Sequence, residues 1–322
     1  MREMVIGHND AGQRLDKFLS KAVPLLPKNL MYKFLRTKYI KLNGKKAEIS
    51  TRLSEGDRVT FYIRDEFFGG NEEQLFLRAA PEIDVVYEDE NILLVNKPSG
   101  LIVHEDEGES VDTLINRVKH RLYLKGEYDP EKEASFAPAL CNRIDRNTEG
   151  IVIVAKNAPS LRLLNECIKE RQLHKFYLCL LKGTPPKPEA TIKAFMWKNE
   201  RENKAEVYDN PVPGGKTMIT KYRVLRRCGK VTLAEIELKT GRTHQIRAHM
   251  AHIGCPLVGD GKYSDNRKER AAGFTSQALC SYKLIFDFQE DCLLSYLNGR
   301  VFEVRDVSFA DERQMKRLAA VL

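Results

Sequence analysis

The chemistry of this chain is concentrated in residues 139–155. There Asn142-Arg143-Ile144-Asp145-Arg146 runs through Thr148, Glu149 and Gly150 into the apolar stretch Ile151–Ala155. A carboxylate between two arginines, in a polar loop at the mouth of a β-branched strand, suits acid–base or nucleophilic work. Positive charge within about 4–6 Å favours the ionised form of such a group. Arg143 and Arg146 are therefore the expected local partners of Asp145, and a structural ion pair closing the loop is the alternative use of the same residues. A second polar segment runs from Lys239 to Tyr263 and contains Gly241-Arg242-Thr243-His244-Gln245-Ile246-Arg247. Its pattern predicts a turn at Gly241, a cap at Thr243 and a short helix over 243–253 ended by Gly254. Ile246, Met250 and Ile253 would form the buried face, leaving Arg247 to project to one side. A guanidinium on a rigid element is well matched to a carboxylate or phosphate.

His244, His249, His252 and Cys255 follow one another at spacings of four, two and two intervening residues. That is no recognised zinc arrangement, and one helix cannot converge all four on an ion. Ordinary hydrogen-bonded histidines are expected, with no metal. Tyr177, in Lys175-Phe176-Tyr177-Leu178, lies mid-strand. It reads either as a buried sheet tyrosine or as an aromatic platform for a planar base.

The elements that position these groups follow from hydrophobic periodicity. Strands are expected at 85–87, 92–95, 151–155, 174–182, 221–227, 231–239, 284–288 and 301–304, with a further extended segment at 101–104. Helices are expected over 111–122 and from an Asn157 cap to Arg171. Residues 123–137 read as a polar excursion. Strands arranged largely as hairpins favour an α+β fold with a mixed, mainly antiparallel central sheet, flanking helices and a catalytic cleft.

Charge divides the chain. Of a net charge of +8, residues 1–63 contribute +7, with 13 Lys/Arg against 6 Asp/Glu, while the remainder is nearly balanced. A basic head on a neutral body points to a polyanion-binding module. Leu15, Phe18, Leu19 and Ala22 mark one amphipathic helix, and Leu30, Met31, Phe34 and Leu35 a second that carries Lys33 and Arg36, with Lys38 just beyond. Asn43-Gly44 predicts a hairpin turn between short strands, followed by an alternating strand over 58–63. The expected organisation is a basic polyanion-binding domain at 1–63 of small α/β type, a linker at 64–80 containing Gly69-Gly70, and a larger domain at 81–322. Seven scattered cysteines without a Cys-x-x-Cys suggest reduced thiols of a cytoplasmic protein. No apolar run has the length of a membrane span.

The head resembles the RNA-binding domain named after the fourth protein of the small ribosomal subunit, through Arg14-Leu15-Asp16-Lys17-Phe18-Leu19, Ile40-x-Leu42-Asn43-Gly44-Lys45 and Gly56-Asp57-x-Val59. The body resembles the RluA-type pseudouridine synthases. The carriers are Val85 to His104 with Asn96-Lys97-Pro98-x-Gly100, Arg143-Ile144-Asp145-Arg146-x-Thr148-x-Gly150, Lys175-x-Tyr177, and Gly241 to Met250 continuing to Gly259-Asp260. The chain departs from the family pattern at Asn142, Glu149 and Cys280. The resemblance implies RNA binding by the 1–63 domain and, in a catalytic domain at 81–322, isomerisation of uridine to pseudouridine with Asp145, Tyr177 and Arg247 as catalytic residues, Arg247 pairing with Asp145 to keep it charged and oriented, and no cofactor. Arg143, Arg146, Arg242, His244, Gln245, Lys33, Arg36, Lys38 and Lys45 would contact RNA, and Arg143 would fill the space left by an extruded base. The implied partner is RNA, ribosomal first and transfer RNA second, with a monomeric enzyme and no membrane. A non-catalytic RNA-binding or ribosome-assembly factor is the competing class.

Overall fold

The computed structural model describes residues 1–68, 74–105, 111–199 and 204–322; the Gly69-Gly70 part of the expected linker lies outside them. The first residues form a small sheet of β1 (Arg2–Val5), β2 (Ile40–Leu42) and β3 (Arg58–Phe61), with β3 central. Helices α1 (Leu15–Ala22) and α2 (Lys28–Arg36) pack on it through Leu15, Phe18, Leu19, Met31 and Leu35. Strand β1 is a finding: Met4 alone of its residues touches the core, so no alternation betrays it. Asn43 and Gly44 both take positive φ, 51° and 73°, closing a tight turn. The expected return strand does not form. Leu42 makes a single bridge to Lys45, and β2 pairs with β3 instead.

Phe67 and Phe68 fold back onto the core of this first unit, while Phe76 is buried in the core of the body. The body is one large sheet. Its strands are β4 (Asp84–Glu88), β5 (Ile92–Lys97), β6 (Ala139–Leu140), β7 (Glu149–Ala155), β8 (Leu173–Lys182), β9 (Glu189–Asn199), β10 (Lys204–Tyr208), β11 (Lys216–Cys228), β12 (Val231–Leu238), β13 (Leu279–Phe286) and β14 (Val301–Glu303). The main path runs β10-β9-β11-β12-β8-β13-β7-β5-β4, with β14 against β13 and β6 against β7. Its pairings are antiparallel except β13 with β7, which run parallel over two residues. The class is the α+β, mainly antiparallel one expected. Helices α3 (Leu114–Leu124), α4 (Ala158–Lys169), α5 (Gln245–His252), α6 (Arg267–Ala271) and α7 (Glu312–Ala319) flank it. Among the described residues no helix is long and apolar enough to cross a membrane.

Strands β5 and β7 are apolar at nearly every position because both faces are covered. Leu93, Val95, Val152 and Val154 pack beneath α3 and α5, while Ile92, Leu94, Ile151 and Ile153 pack against Leu164 and Cys167 of α4. Asn157 caps α4 by accepting from the Ser160 amide. The helix stops at Lys169, short of the expected Arg171, which takes a left-handed φ of 62° and turns the chain towards β8. Residues 101–104 form no strand. The carbonyls of Ile102 and Val103 accept instead from the first amides of α3.

Candidate active site

Asp145 sits in the loop ahead of β7, and backbone anchors on both sides fix that loop. Asn142 Oδ1 accepts from the Ile153 amide at 2.7 Å, and Thr148 N donates to the Asp145 carbonyl. From the other side comes the 97–101 turn. Lys97 is fully buried, and its Nζ donates to the carbonyls of Pro98, Leu101 and Arg146, each at 2.8 Å. Gly100 N donates to the same Arg146 carbonyl, Arg146 Nε to the Gly100 carbonyl, and Ser99 Oγ to that of Asn147. Burial pushes the Lys97 pKa down to about 8, with Glu149 and Asp145 opposing. Lys97 thus acts as a three-point bracket between loop and turn.

Asp145 is paired by Arg247, the residue the family resemblance sets against it, and not by the flanking arginines. Arg247 Nη1 donates to Asp145 Oδ2 at 2.9 Å, although the two residues are 102 positions apart in the chain. Arg143 is exposed, and the Arg146 guanidinium donates through Nε to the Gly100 carbonyl. Behind Arg247 stands Asp260, which accepts from Nε at 2.7 Å and Nη2 at 2.9 Å. A bidentate carboxylate orients a guanidinium as well as neutralising it. Side-chain exposure falls from 28% at Asp145 through 9% at Arg247 to 0% at Asp260. The acid is the open end of a buried chain of alternating charge. Burial disfavours the Arg247 charge, but Asp260 and then Asp145 outweigh it and raise its pKa. Burial likewise opposes the Asp260 charge, and hydrogen bonds from Arg247 still hold that carboxyl below its ordinary value.

Helix α5 differs from expectation in ways that explain this geometry. Thr243 is exposed and does not cap it. His244 occupies the cap position with a left-handed φ of 54°, and the first residues are buried on every side. Arg247 therefore points inward. Gln245, expected to touch RNA, is 2% exposed. Its Oε1 accepts from Thr240 Oγ1 and the Arg242 amide, while its Nε2 donates to the Ile219 carbonyl and Thr220 Oγ1. With every polar position used, it anchors the helix to β11 and has nothing left for RNA. His244 Nδ1 lies 3.1 Å from the Tyr263 hydroxyl and its Nε2 3.8 Å from Asp145 Oδ2. Burial pushes its pKa down, Arg247 and Lys262 add to that, and Asp145 opposes. His249 meets Thr220 and His252 meets Asp209, so the histidines do not converge.

Tyr177, in the middle of β8, is 6% exposed and lies within the field of Asp145. Burial pushes its pKa up to about 12, helped by Asp145 and Cys280 and opposed by a hydrogen bond from Ser281. It is a neutral phenol at physiological pH. Arg242 is exposed, as are Lys33, Arg36, Lys38 and Lys45 on the first unit. Sequence reasoning missed Asp260, Lys97, Ser281 and Tyr263. The Gly259-Asp260 and Lys97-Pro98 pairs were visible, but no local pattern says that they meet Arg247 and the 145 loop.

A sequence model of the family described as RNA pseudouridylate synthase matches residues 91–252, and one of the S4 domain matches residues 13–59. An uncharacterised RNA pseudouridine synthase of Bacillus subtilis is 30% identical over 287 residues, covering 88% of this chain and 89% of its own. Ribosomal large subunit pseudouridine synthase C of Vibrio cholerae is 32% identical, covering 81% and 80%. Synthase D of Xylella fastidiosa is 31% identical, covering 83% and 76%. The structure of human RNA pseudouridylate synthase domain containing 4 superimposes with a TM-score of 0.56 at 20% identity, over 74% of this chain and 92% of that one. It shares the fold.

Proposed function

From the premise that the chain belongs to the RNA pseudouridylate synthase family, we propose that it isomerises specific uridines of large-subunit ribosomal RNA, with Asp145 as its essential carboxylate. The observation that carries this reading is the Asp260–Arg247–Asp145 chain, which presents one oriented carboxylate beside a buried tyrosine. The target uridine leaves its stack, at a general cost of a few kcal/mol. Asp145 then removes the 2′ proton while the bond from the sugar to ring nitrogen 1 breaks, its electrons leaving with the uracil. The uracil turns, carbon 5 joins the sugar carbon, and the 2′ proton returns from Asp145. Carbon 5 then gives its proton to solvent and ring nitrogen 1 takes one up, so the balance closes without an outside reagent.

Arg247 holds the carboxylate in place through this cycle, and Asp260 holds Arg247. Tyr177 borders the detached base, and its firmly held proton suits a contact that does not exchange charge with Asp145. Arg143, exposed two residues from the acid, fills the vacated stack, and Arg146, Arg242 and His244 border the RNA. The relatives named for large-subunit ribosomal RNA support that substrate class. The S4 match supports RNA grip through the basic face of residues 1–63, with the body at 81–322 as the catalytic domain. The enzyme is proposed to act as a monomer, and seven free cysteines suit the reducing cytoplasm. The test is Asp145→Asn followed by pseudouridine mapping of ribosomal and transfer RNA. Loss of particular large-subunit sites is expected. Retention of every site would remove the assignment, and loss confined to transfer RNA would move the substrate.

A further inference from the structure

A cluster of polar contacts between the first unit and the body serves no part of the reaction. Asn9 Nδ2 donates to Glu133 Oε1 at 2.9 Å, and Asn9 Oδ1 accepts from the Ala158 amide at 3.0 Å. Ala158 opens α4, where a helix leaves amides without an intrahelical acceptor. Gln13 Nε2 donates to Ser135 Oγ and to Asp10 Oδ1, both at 3.0 Å, and the Ser135 hydroxyl donates to Asp10. Asp10 is only 2% exposed. Ala134 packs against the apolar core of the first unit. The 123–137 excursion is therefore a seat for that unit as well as a loop of the body.

The position of this seat matters. Helix α4 follows β7 after two residues, and β7 begins four residues beyond Asp145. One strand of seven residues, on the order of 20 Å long, separates the Asn9 contact from the catalytic loop. A unit held only by a tether samples many orientations, and its benefit falls to an averaged effective concentration. A unit seated on a rigid strand holds its ligand at one span. We propose that Asn9 is a positioning residue: with Asp10, Gln13 and residues 133–135 it fixes the RNA gripped by the basic unit at a set distance from Asp145, and so selects which uridine enters the site. This rests on the catalytic reading above and adds to it the basis of site choice.

The test uses the full chain as Asn9→Asp, Glu133→Gln and the two together. Asn9→Asp sets a carboxylate against Glu133 while keeping an acceptor for Ala158. Glu133→Gln still accepts from Asn9. In the double variant the amide introduced at position 133 donates to the carboxylate introduced at position 9, so the contact re-forms with reversed polarity. Expected for Asn9→Asp alone are a KM for ribosomal RNA raised at least about tenfold, kcat within about twofold, and pseudouridine at uridines the wild type leaves untouched. Amide exchange at 133–135 and 158 should quicken in the same variant. Glu133→Gln and the double variant should both match the wild type. An unchanged map and KM in Asn9→Asp, or a defect that Glu133→Gln does not reverse, overturns the proposal. Wild-type chain that forms no pseudouridine defeats the catalytic reading itself, and that outcome is visible before any variant is compared.

Discussion

Arg247 shows how much of a site can be read from residue types and where that reading stops. A guanidinium on a helix beside a polar loop points to an anionic partner, and the structure supplies two carboxylates. Which carboxylates they are depends on chain crossings that no local window contains, so Asp145 was legible only through the family resemblance and Asp260 not at all. Asp145 is 102 residues away, and Asp260 lies across a turn. Removing one member of a buried charge pair leaves the other uncompensated, a cost of about 3 kcal/mol or more. Asp260→Asn should therefore lower the urea unfolding free energy by that order. It should also slow single-turnover pseudouridine formation by ~10²-fold, because Arg247 no longer holds the acid in register. Full activity in a destabilised Asp260→Asn chain would show that Asp145 is oriented by other groups. Lys97 offers a pH-dependent counterpart. Its folded pKa lies near 8, whereas an unfolded lysine titrates near 10.4. Between those values the unfolded chain binds more protons, so stability contributed through this group rises with pH. The stability of the wild type relative to Lys97→Met should accordingly increase from pH 8 to pH 10, measured as the difference in urea midpoints. A difference independent of pH would place the proton elsewhere.

Elements with both faces buried were the most legible, since β5 and β7 announce themselves as unbroken apolar runs. The outer hairpin of β9 and β10 was not read, because its strands alternate exposed lysine and tryptophan with small residues on a short inner face. Helix α7 was missed for a related reason, with only Met315 and Leu318 fully buried in a charged segment. Helix α5 was found, but its face was misjudged. The amphipathic rule assumes one wet side, and this helix is enclosed on several. Gly150 links element to site. Its φ is 107°, and a Cβ there would stand 2.3 Å from the Ser281 carbonyl oxygen, where β7 meets β13 in the parallel pairing. Gly150→Ala adds a backbone strain of about 1–3 kcal/mol to a clash that only main-chain movement can relieve. The expected outcome is a lower thermal midpoint together with loss of activity in the chain that remains folded, since the same shift displaces the loop bearing Asp145 and the Ser281 contact to Tyr177. A folded, fully active Gly150→Ala variant would mean that the strand junction yields without disturbing the acid.

For the whole molecule, charge was legible before any fold. The excess of +7 within the first 63 residues falls on a unit whose Lys33, Arg36, Lys38 and Lys45 are exposed. The seating of that unit on the body could not be read, because it depends on Asn9, Gln13 and Ser135, polar residues that look alike in any surface loop. Phosphate contacts release condensed counterions, so log affinity falls linearly with log salt by about 0.7–0.9 per phosphate neutralised. Replacing Lys33, Arg36 and Lys38 together by Gln should weaken RNA binding and flatten that slope by roughly 2–3. Filter binding of the full chain between low and physiological salt measures both. The rate of the chemical step at saturating RNA should stay within about twofold, because these side chains contribute affinity and leave the geometry at Asp145 untouched. A slope identical to that of the wild type would show that this face does not meet phosphate, and the excess charge would then serve solubility alone.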